Sequence, residues 1–333
     1  MGTVGVVVNP WAGKDVRRLH APVGHTPDTA KIGIVRRVAS AARETGAERV
    51  LVARDTGRIG ERATAGVDCT ELLDGPGTGS ALDTRRAAAQ FAELGCSVVV
   101  ALGGDGTCRD VAIGWRRAPL IAVSTGTNNV FPAMIDATSA GTAAGLIASG
   151  AIASVVARGC TKVLDVTITE ADGSMSTDLA LVDVALIEAT HTGARAVVKA
   201  ESVRTVVAAI AEPASTGLSS IAGRVHPLTR YEPGAVVVRL GQQGRRVRAA
   251  IMPGHHDTLT IASVEHVADS VPVQLTGPGV LAFDGERDRL LGEGATATVT
   301  VRGDGPLVVD VSAMLVCAAK LGLFDVPEAD DGD

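Results

Sequence analysis

Short apolar runs alternate with segments of helical periodicity through the first 150 residues. Strand-like runs occur at residues 4–8, 50–53, 98–102 and 120–123. Between them, apolar positions recur at the spacing of amphipathic helices, which predicts helices near 28–44, 83–94, 110–115 and 139–148. Wholly apolar strands separated by helices are typical of a parallel sheet that is covered on both faces. Residues 1–150 therefore predict a Rossmann-like α/β domain.

The pattern changes after about residue 150. Strand-like runs at 163–169, 179–187, 235–240, 247–252, 259–264 and 297–301 are separated by turn signals, and one helix is predicted at 200–211, ahead of Pro213. Residues 151–310 thus predict a mainly antiparallel β-sandwich domain. The apolar segment 311–325 is expected to return to the first domain, and the acidic residues 326–333 are expected to form a tail.

Composition excludes several classes of partner. The net charge of −6 argues against a nucleic-acid-binding protein and gives no general attraction to an anionic membrane. The five cysteines include no CxxC pair, as is usual in the reducing cytoplasm. The N-terminus does not resemble a signal peptide, and no apolar stretch reaches the length of a membrane span. We therefore expect a cytoplasmic protein with no nucleic-acid or membrane partner.

Three polar loops follow predicted parallel strands, at residues 9–14, 103–107 and 124–129. Ligands of such sheets bind beyond the carboxyl ends of the strands. The middle loop reads GGDGT; its glycines let backbone N–H groups approach a phosphate, and the following helix adds its positive end. A carboxylate beside a phosphate is repelled unless it binds Mg²⁺ or accepts a proton, so Asp105 indicates phosphoryl transfer. The alternative is that this pentapeptide is only a tight turn.

The GGDGT loop after a strand resembles the signature of the NAD kinase and diacylglycerol kinase superfamily. NPWAGK at 9–14 and GTNN at 126–129 are similar to loops of the lipid kinase branch, and FDGE at 283–286 resembles the Asp-Gly-Glu of those enzymes. NPWAGKDVRRL, GGDGTCRDV, GTNNVFP and GARAV together are most similar to the acetoin catabolism X proteins, which are NAD kinase-like. The resemblance implies that residues 1–150 form a nucleotide-binding domain and residues 151–310 a substrate domain. It also implies ATP and Mg²⁺ in a cleft between the two domains, with a hydroxyl as acceptor.

Two aspartates compete for the role of base under this resemblance. Asp105 would bind the metal or act as the base, whereas Asp284 would approach from the second domain, on the side of the acceptor. We expect Asp105 to be chiefly a metal and phosphate ligand and Asp284 to contribute to proton removal. The residues implied to bind the nucleotide are Asn9, Lys14, Gly103, Gly104, Gly106, Thr107, Thr125, Gly126, Thr127, Asn128, Asn129, Asp183 and Glu286.

The acceptor is expected to be a small soluble molecule, with NAD(H) the leading candidate. LVDVAL at 181–186 resembles the Asn-Glu segment of NAD kinases, with Val182 and Asp183 at those two positions. The side chain of Val182 cannot form hydrogen bonds, whereas Asp183 can bind ribose hydroxyls. Two alternatives remain: a nucleotide-binding regulator without catalysis, and a lipid kinase that acts on diacylglycerol or sphingoid bases. NAD kinase-like relatives also imply a homo-oligomer.

Overall fold

The structure is a computed structural model that describes residues 2–14, 26–126, 129–152, 159–190 and 200–326, apart from the side chains of Ala200, Arg287 and Asp288. Two of the expected nucleotide ligands, Thr127 and Asn128, lie outside the described residues, as does the acidic tail beyond residue 326.

The secondary-structure elements follow the chain as β1 (Thr3–Val8), α1 (Asp28–Glu44), β2 (Arg49–Val52), α2 (Ile59–Thr64), β3 (Thr70–Leu72), α3 (Ala81–Glu93), β4 (Val98–Gly103), α4 (Asp105–Gly114), β5 (Pro119–Ser124), α5 (Ala137–Ala148), β6 (Val163–Thr169), β7 (Met175–Ala180), β8 (Asp183–Ile187), β9 (Val203–Ala208), α6 (Leu218–Gly223), β10 (Ala235–Met252), β11 (His255–Val267), β12 (Pro272–Thr276), β13 (Gly279–Phe283), β14 (Glu286–Leu291), β15 (Thr296–Arg302), β16 (Leu307–Val308) and α7 (Val311–Lys320).

A parallel sheet forms the first layer, with strand order β16-β5-β4-β1-β2-β3. Its central strands are buried along their whole length because helices cover both faces. One face packs against α1, α5 and α7, and the other packs against α3 and α4. The predicted α/β fold with a parallel sheet is confirmed.

Two antiparallel sheets follow, with strand orders β11-β10-β9-β8-β13-β14 and β12-β15-β6-β7. Side chains of both sheets interdigitate in one apolar core, for example Val166 and Val299 from one sheet with Leu186 and Leu281 from the other. This packing confirms the predicted antiparallel β-sandwich. We call β6 to β15 the β domain, and the parallel sheet with α1 to α5 and α7 the α/β domain.

One predicted helix is wrong: residues 200–211 contain β9 instead. Val203, Thr205, Val206 and Val207 are β-branched, which favours an extended backbone. The strand pairs with β8 on one side and β10 on the other, so its backbone hydrogen bonds are satisfied within the sheet. Ala208 lies at the buried end of this central strand.

The two domains share apolar contacts as well as chain connections. β16 extends the parallel sheet beside β5, and α7 buries Val311, Met314 and Ala318 against the α/β domain. On the opposite face of that sheet, Leu181 and Val182 of the β domain join the apolar cluster under α3 and α4.

Among the described residues, no helix combines the length and apolar character required to cross a membrane.

Candidate active site

A cleft of about 450 Å³ lies where the carboxyl ends of β1, β2 and β4 face the turn between β13 and β14. The sheet ends and the Asp-Gly-Glu turn thus come from different domains. The expected site residues that line this cleft are Asn9, Lys14, Gly104, Asp105, Gly106, Thr107, Gly126, Asn129, Asp284 and Glu286. Gly103, Thr125 and Asp183 lie next to the cleft rather than on its wall.

The GGDGT loop connects β4 directly to α4, which begins at Asp105 and not near residue 110 as the periodicity predicts. A Cβ atom on Gly103 would lie 2.2 Å from Oγ1 of Thr107, and one on Gly104 would lie 2.7 Å from Oδ1 of Asn129. A Cβ atom on Gly106 would meet no atom within 4 Å. Since the first N–H groups of a helix have no partner within it, this glycine-lined start of α4 suits a phosphate.

The loop after β1 is tied to the GGDGT helix by Asn9. Its Nδ2 donates to Oγ1 of Thr107 at 3.0 Å, while its Oδ1 accepts from the backbone N–H of Trp11 at 2.8 Å. The loop is also held from below, because Nζ of buried Lys31 donates to the carbonyls of Asn9 (3.1 Å) and Pro10 (2.8 Å). Burial lowers the pKa of Lys31 to about 8, and the positive charge of Lys14 adds to this decrease.

Lys14 ends this loop and supplies positive charge to the cleft. Its Nζ lies 2.8 Å from Oδ1 of Asp28, at the start of α1, and 5.8 Å from the ring centroid of Trp11. Trp11 is 62% exposed, so its ring is available to a ligand as well as to Lys14. A loop with one ammonium group and one exposed ring can contact both a phosphate and a base.

The carboxylate of Asp105 is held by a neighbouring loop. Oδ1 accepts from the backbone N–H groups of Val130 (3.0 Å) and Phe131 (2.7 Å), and Oδ2 accepts from that of Val130 (3.1 Å). The side chain is buried apart from the part that lines the cleft. Its position in the first turn of α4 is also favourable, because the helix dipole stabilises negative charge there.

Asp284 is held by the β domain in a similar way. Its Oδ1 accepts from the backbone N–H groups of Leu181 (3.0 Å), Val182 (2.8 Å) and Asp183 (3.3 Å), while Oδ2 accepts from Leu181 at 3.3 Å. Burial raises the pKa of Asp284 to about 7; Arg109 and the amide of Val182 oppose the rise, and Asp105 adds to it. The backbone of Asp284 has a φ of 49°, in the left-handed region.

The remaining expected ligands surround this centre. Asp183 is 2% exposed and borders a small cavity of about 20 Å³ that Asp105 and Asp284 also line. Thr125 is buried, and its Oγ1 has no hydrogen-bond partner among the described residues. Asn129 donates from Nδ2 to Oγ of Ser124 at 2.6 Å, which fixes the end of the loop after β5.

Several cleft residues escaped the sequence interpretation. Asp55, Asp83 and Asp110 line the wall on the α2 and α3 side; burial raises the pKa of Asp110 to about 6, and a hydrogen bond from Arg85 opposes this rise. Lys31 had a signal in the sequence, since it precedes Val35 and Val38 by four and seven residues on the apolar side of α1. The aspartates carried none, because acidic residues are common both in loops, where Asp55 lies, and on helices such as α3 and α4, where Asp83 and Asp110 lie.

The donor set fits a magnesium ion only in combination with a substrate. No group of three or more His, Cys, Asp and Glu residues within the described ranges is arranged to hold a metal ion. Mg²⁺, however, usually takes one or two carboxylates and completes its shell with water and substrate phosphates. Asp105 beside the glycine-lined start of α4 matches that mode of binding.

Comparisons with known proteins agree with this architecture. Residues 4–152 match the family model of the ATP-NAD kinase N-terminal domain, and residues 162–304 match that of the acetoin catabolism protein X C-terminal domain. The yeast NADH kinase, solved in complex with NADH, is similar in fold, with a TM-score of 0.56, 14% sequence identity and coverage of 100% of this chain and 90% of that chain.

A relative of known sequence is much closer. The acetoin catabolism protein X of Cupriavidus necator is 34% identical, over 95% of this chain and 92% of its own length. A match over 95% of the chain extends into both domains. The chain therefore belongs to the acetoin catabolism protein X family.

Proposed function

We propose that this protein is an ATP-dependent kinase that transfers the γ-phosphate to a hydroxyl of a small soluble acceptor, with NAD(H) the leading candidate. One observation carries the proposal: Asp105 and Asp284, each held by backbone amides, line a single cleft from different domains. Phosphoryl transfer needs charge neutralisation at the phosphates and a proton acceptor at the attacking hydroxyl. Two carboxylates on opposite walls can divide these tasks.

The α/β domain would hold the phosphates. The start of α4 would provide N–H groups from Gly104, Gly106 and Thr107. The loop after β1 would add the amide of Asn9 and the positive charge of Lys14. Asp105 would hold Mg²⁺, which neutralises the negative charge of the phosphates when bound. The backbone amides of Val130 and Phe131 already hold the carboxylate of Asp105 in one orientation, so it need not reorient before it acts.

The β domain would supply the proton acceptor. A general base is most effective when its pKa lies near the working pH, and burial raises the pKa of Asp284 to about 7. Three amides engage Oδ1, whereas among the described residues Oδ2 accepts only the 3.3 Å hydrogen bond from Leu181. Oδ2 is therefore the oxygen we assign to the acceptor hydroxyl. Glu286 stands two residues further along the same turn and also lines the cleft.

The choice of NAD(H) rests on the N-terminal family match and on Asp183. The matching model is that of ATP-NAD kinases, and the similar yeast structure was solved with NADH. Asp183 lies at the small cavity next to Asp284, and a carboxylate there can accept hydrogen bonds from ribose hydroxyls. A ribose hydroxyl is the kind of group that the proposed base would deprotonate.

A specific feature favours a second candidate, a nucleotide-binding regulator without catalysis. The side chain of Val182 is 1% exposed and packs in the apolar cluster under α3 and α4, so this position offers a ligand only its main chain. A protein that binds a nucleotide with fewer polar contacts can sense it without turning it over. The two candidates make opposite predictions for phosphate transfer.

The test is a screen of acceptors with γ-labelled ATP and Mg²⁺. The panel contains NAD, NADH, free nucleosides, and vesicles that carry diacylglycerol or a sphingoid base. We expect label on NAD or NADH with the wild-type protein, and a loss of about a hundredfold or more in Asp105→Asn. Asp172→Asn, on the exposed turn between β6 and β7, is the control and should behave as wild type.

Three outcomes would contradict this proposal. Full activity of Asp105→Asn would exclude the assigned mechanism. Nucleotide binding by calorimetry without transfer to any acceptor would favour the regulator. Label on the vesicle lipids but not on NAD, NADH or nucleosides would identify a lipid kinase.

A further inference from the structure

Arg230 of the β domain binds the same loop that holds Asp105. Nη2 of Arg230 donates to the carbonyl of Val130 at 2.9 Å, and Nη1 donates to that of Phe131 at 2.8 Å. The guanidinium carbon also lies 4.8 Å from the ring centroid of Phe131. The planar fork of arginine suits two successive carbonyls, and its stacking on the ring restricts it further.

Arg230 and Asp105 form hydrogen bonds to the two ends of the same peptide group. The carbonyl of Val130 and the N–H of Phe131 belong to the same planar unit, and this N–H donates to Oδ1 of Asp105 at 2.7 Å. A cation at the oxygen and an anion at the N–H polarise the amide in the same direction. Each of the two hydrogen bonds therefore strengthens the other.

We propose that Arg230 is a positioning residue for Asp105, which it orients through the peptide bond between Val130 and Phe131. Arg230 precedes β10 in the β domain, whereas Asp105 begins α4 in the α/β domain. The orientation of the carboxylate therefore depends on the contact between the domains. The effect on turnover rests on the proposed kinase function, but the effect on the loop does not.

A purely structural brace between the domains is the competing explanation, and the chain contains a control for it. Arg116 of the α/β domain also reaches the β domain, where Nη1 binds Asp165 and Nη2 binds Asp304, both at 2.7 Å. Neither of these contacts involves Val130 or Phe131. Arg116→Gln thus removes an arginine bridge between the same domains without removing a contact to that loop.

Amide hydrogen exchange of Val130 and Phe131, measured by NMR on the full chain, is the direct test. In Arg230→Gln we expect exchange at Phe131 to be about tenfold faster or more, while amides within β4 keep their wild-type rates. Arg230→Lys should give an intermediate rate, because one ammonium group cannot reproduce the fork on two carbonyls. Arg116→Gln should leave the rate at Phe131 unchanged.

Kinetics give a second readout. Arg230→Gln should lower kcat/KM for Mg²⁺-ATP by about tenfold to a hundredfold and change the KM for the acceptor little, because a misoriented Asp105 would hold Mg²⁺ and the phosphates less well. Unchanged exchange at Phe131 in Arg230→Gln, or an equal effect of Arg116→Gln, overturns the assignment. If the wild-type protein phosphorylates no acceptor, the proposed function fails, while the exchange rates still decide on Arg230.

Discussion

The backbone N–H of Val182 donates a hydrogen bond of 2.8 Å to Oδ1 of Asp284. Val182 is a position at which the chain departs from the kinase motifs that it resembles, whereas Asp284 matches them. This hydrogen bond connects the two positions. Val182 contributes its main chain to the site while its side chain packs in the core. With valine at this position the site has no polar side chain there, but the backbone N–H of Val182 still supports Asp284.

The raised pKa of Asp284 predicts a dependence of stability on pH. Its ordinary value is 3.8 and its value in the folded protein is about 7, so the folded state binds more protons between these limits. The free energy of unfolding should therefore fall as the pH rises through this window, by roughly 2 to 4 kcal/mol relative to Asp284→Asn. Urea unfolding of both proteins at about pH 5 and about pH 8 measures the difference.

Asn is the suitable replacement because its Oδ1 can still accept the amide hydrogen bonds and because it tolerates the left-handed φ of 49°. Asp284→Ala should be less stable than Asp284→Asn at both pH values, since it leaves those N–H groups without a partner. An identical pH dependence in the wild type and Asp284→Asn would show that the carboxyl ionises normally.

The side chain of Asn9 predicts a selective effect on nucleotide binding. Asn9→Ala removes the 3.0 Å bond to Thr107 and the 2.8 Å bond to the N–H of Trp11, so the loop after β1 is held mainly by Lys31. We expect the Kd for Mg²⁺-ATP to rise about tenfold, which corresponds to about 1.4 kcal/mol. Asn9→Asp keeps the acceptor for Trp11 but adds a negative charge on the wall of the cleft, so it should bind ATP no more tightly than Asn9→Ala in calorimetry.

Replacement by alanine is expected to have different effects at Gly106 and at Gly103. In Gly106→Ala the methyl group would meet no atom within 4 Å, so the fold should be retained while the cleft narrows at the start of α4. In Gly103→Ala the methyl group would lie 2.2 Å from Oγ1 of Thr107, so the protein should lose stability. Thermal melts and ATP titrations separate the two: the first variant should melt near the wild type and bind ATP weakly.

The buried ammonium group of Lys31 predicts a second pH dependence of opposite sign. Its pKa is lowered from 10.5 to about 8, so the folded state binds fewer protons than the unfolded state between these values. The free energy of unfolding should rise with pH through this window in the wild type, and the rise should be absent in Lys31→Met.

Lys31→Met also leaves the carbonyls of Asn9 and Pro10 without their donor, which should cost about 1 to 3 kcal/mol near neutral pH. Lys320→Met, in the exposed last turn of α7, is the control and should unfold like the wild type. Equal stability of Lys31→Met and the control variant would mean that the carbonyls find other partners.

Local pattern was sufficient for the parallel sheet and for the GGDGT loop. Buried parallel strands such as β4 are apolar at every position, and the glycines after it mark the turn into α4. The helix predicted over β9 shows where local pattern misleads, because this segment pairs with β8 on one side and β10 on the other. Tertiary contacts outweigh propensity in a central strand.

The support of the two aspartates could not be read from the sequence. Arg230 and Val130 are separated by 100 positions, and Asp284 and Val182 by 102. Both pairs use main-chain atoms, which every residue possesses, so no residue type marks the partner. Sequence motifs identify the groups that face a ligand far better than the groups that hold them.

The return of β16 and α7 to the α/β domain affects the order in which the chain can fold during synthesis. The ribosome releases β1 to α5 first, yet the outer edge of β5 and the apolar surface that receives Met314 stay uncovered until residue 314 has emerged. The whole β domain is made in that interval. A nascent chain therefore exposes an open sheet edge for most of its translation, and this edge is where chaperone binding or premature association would begin.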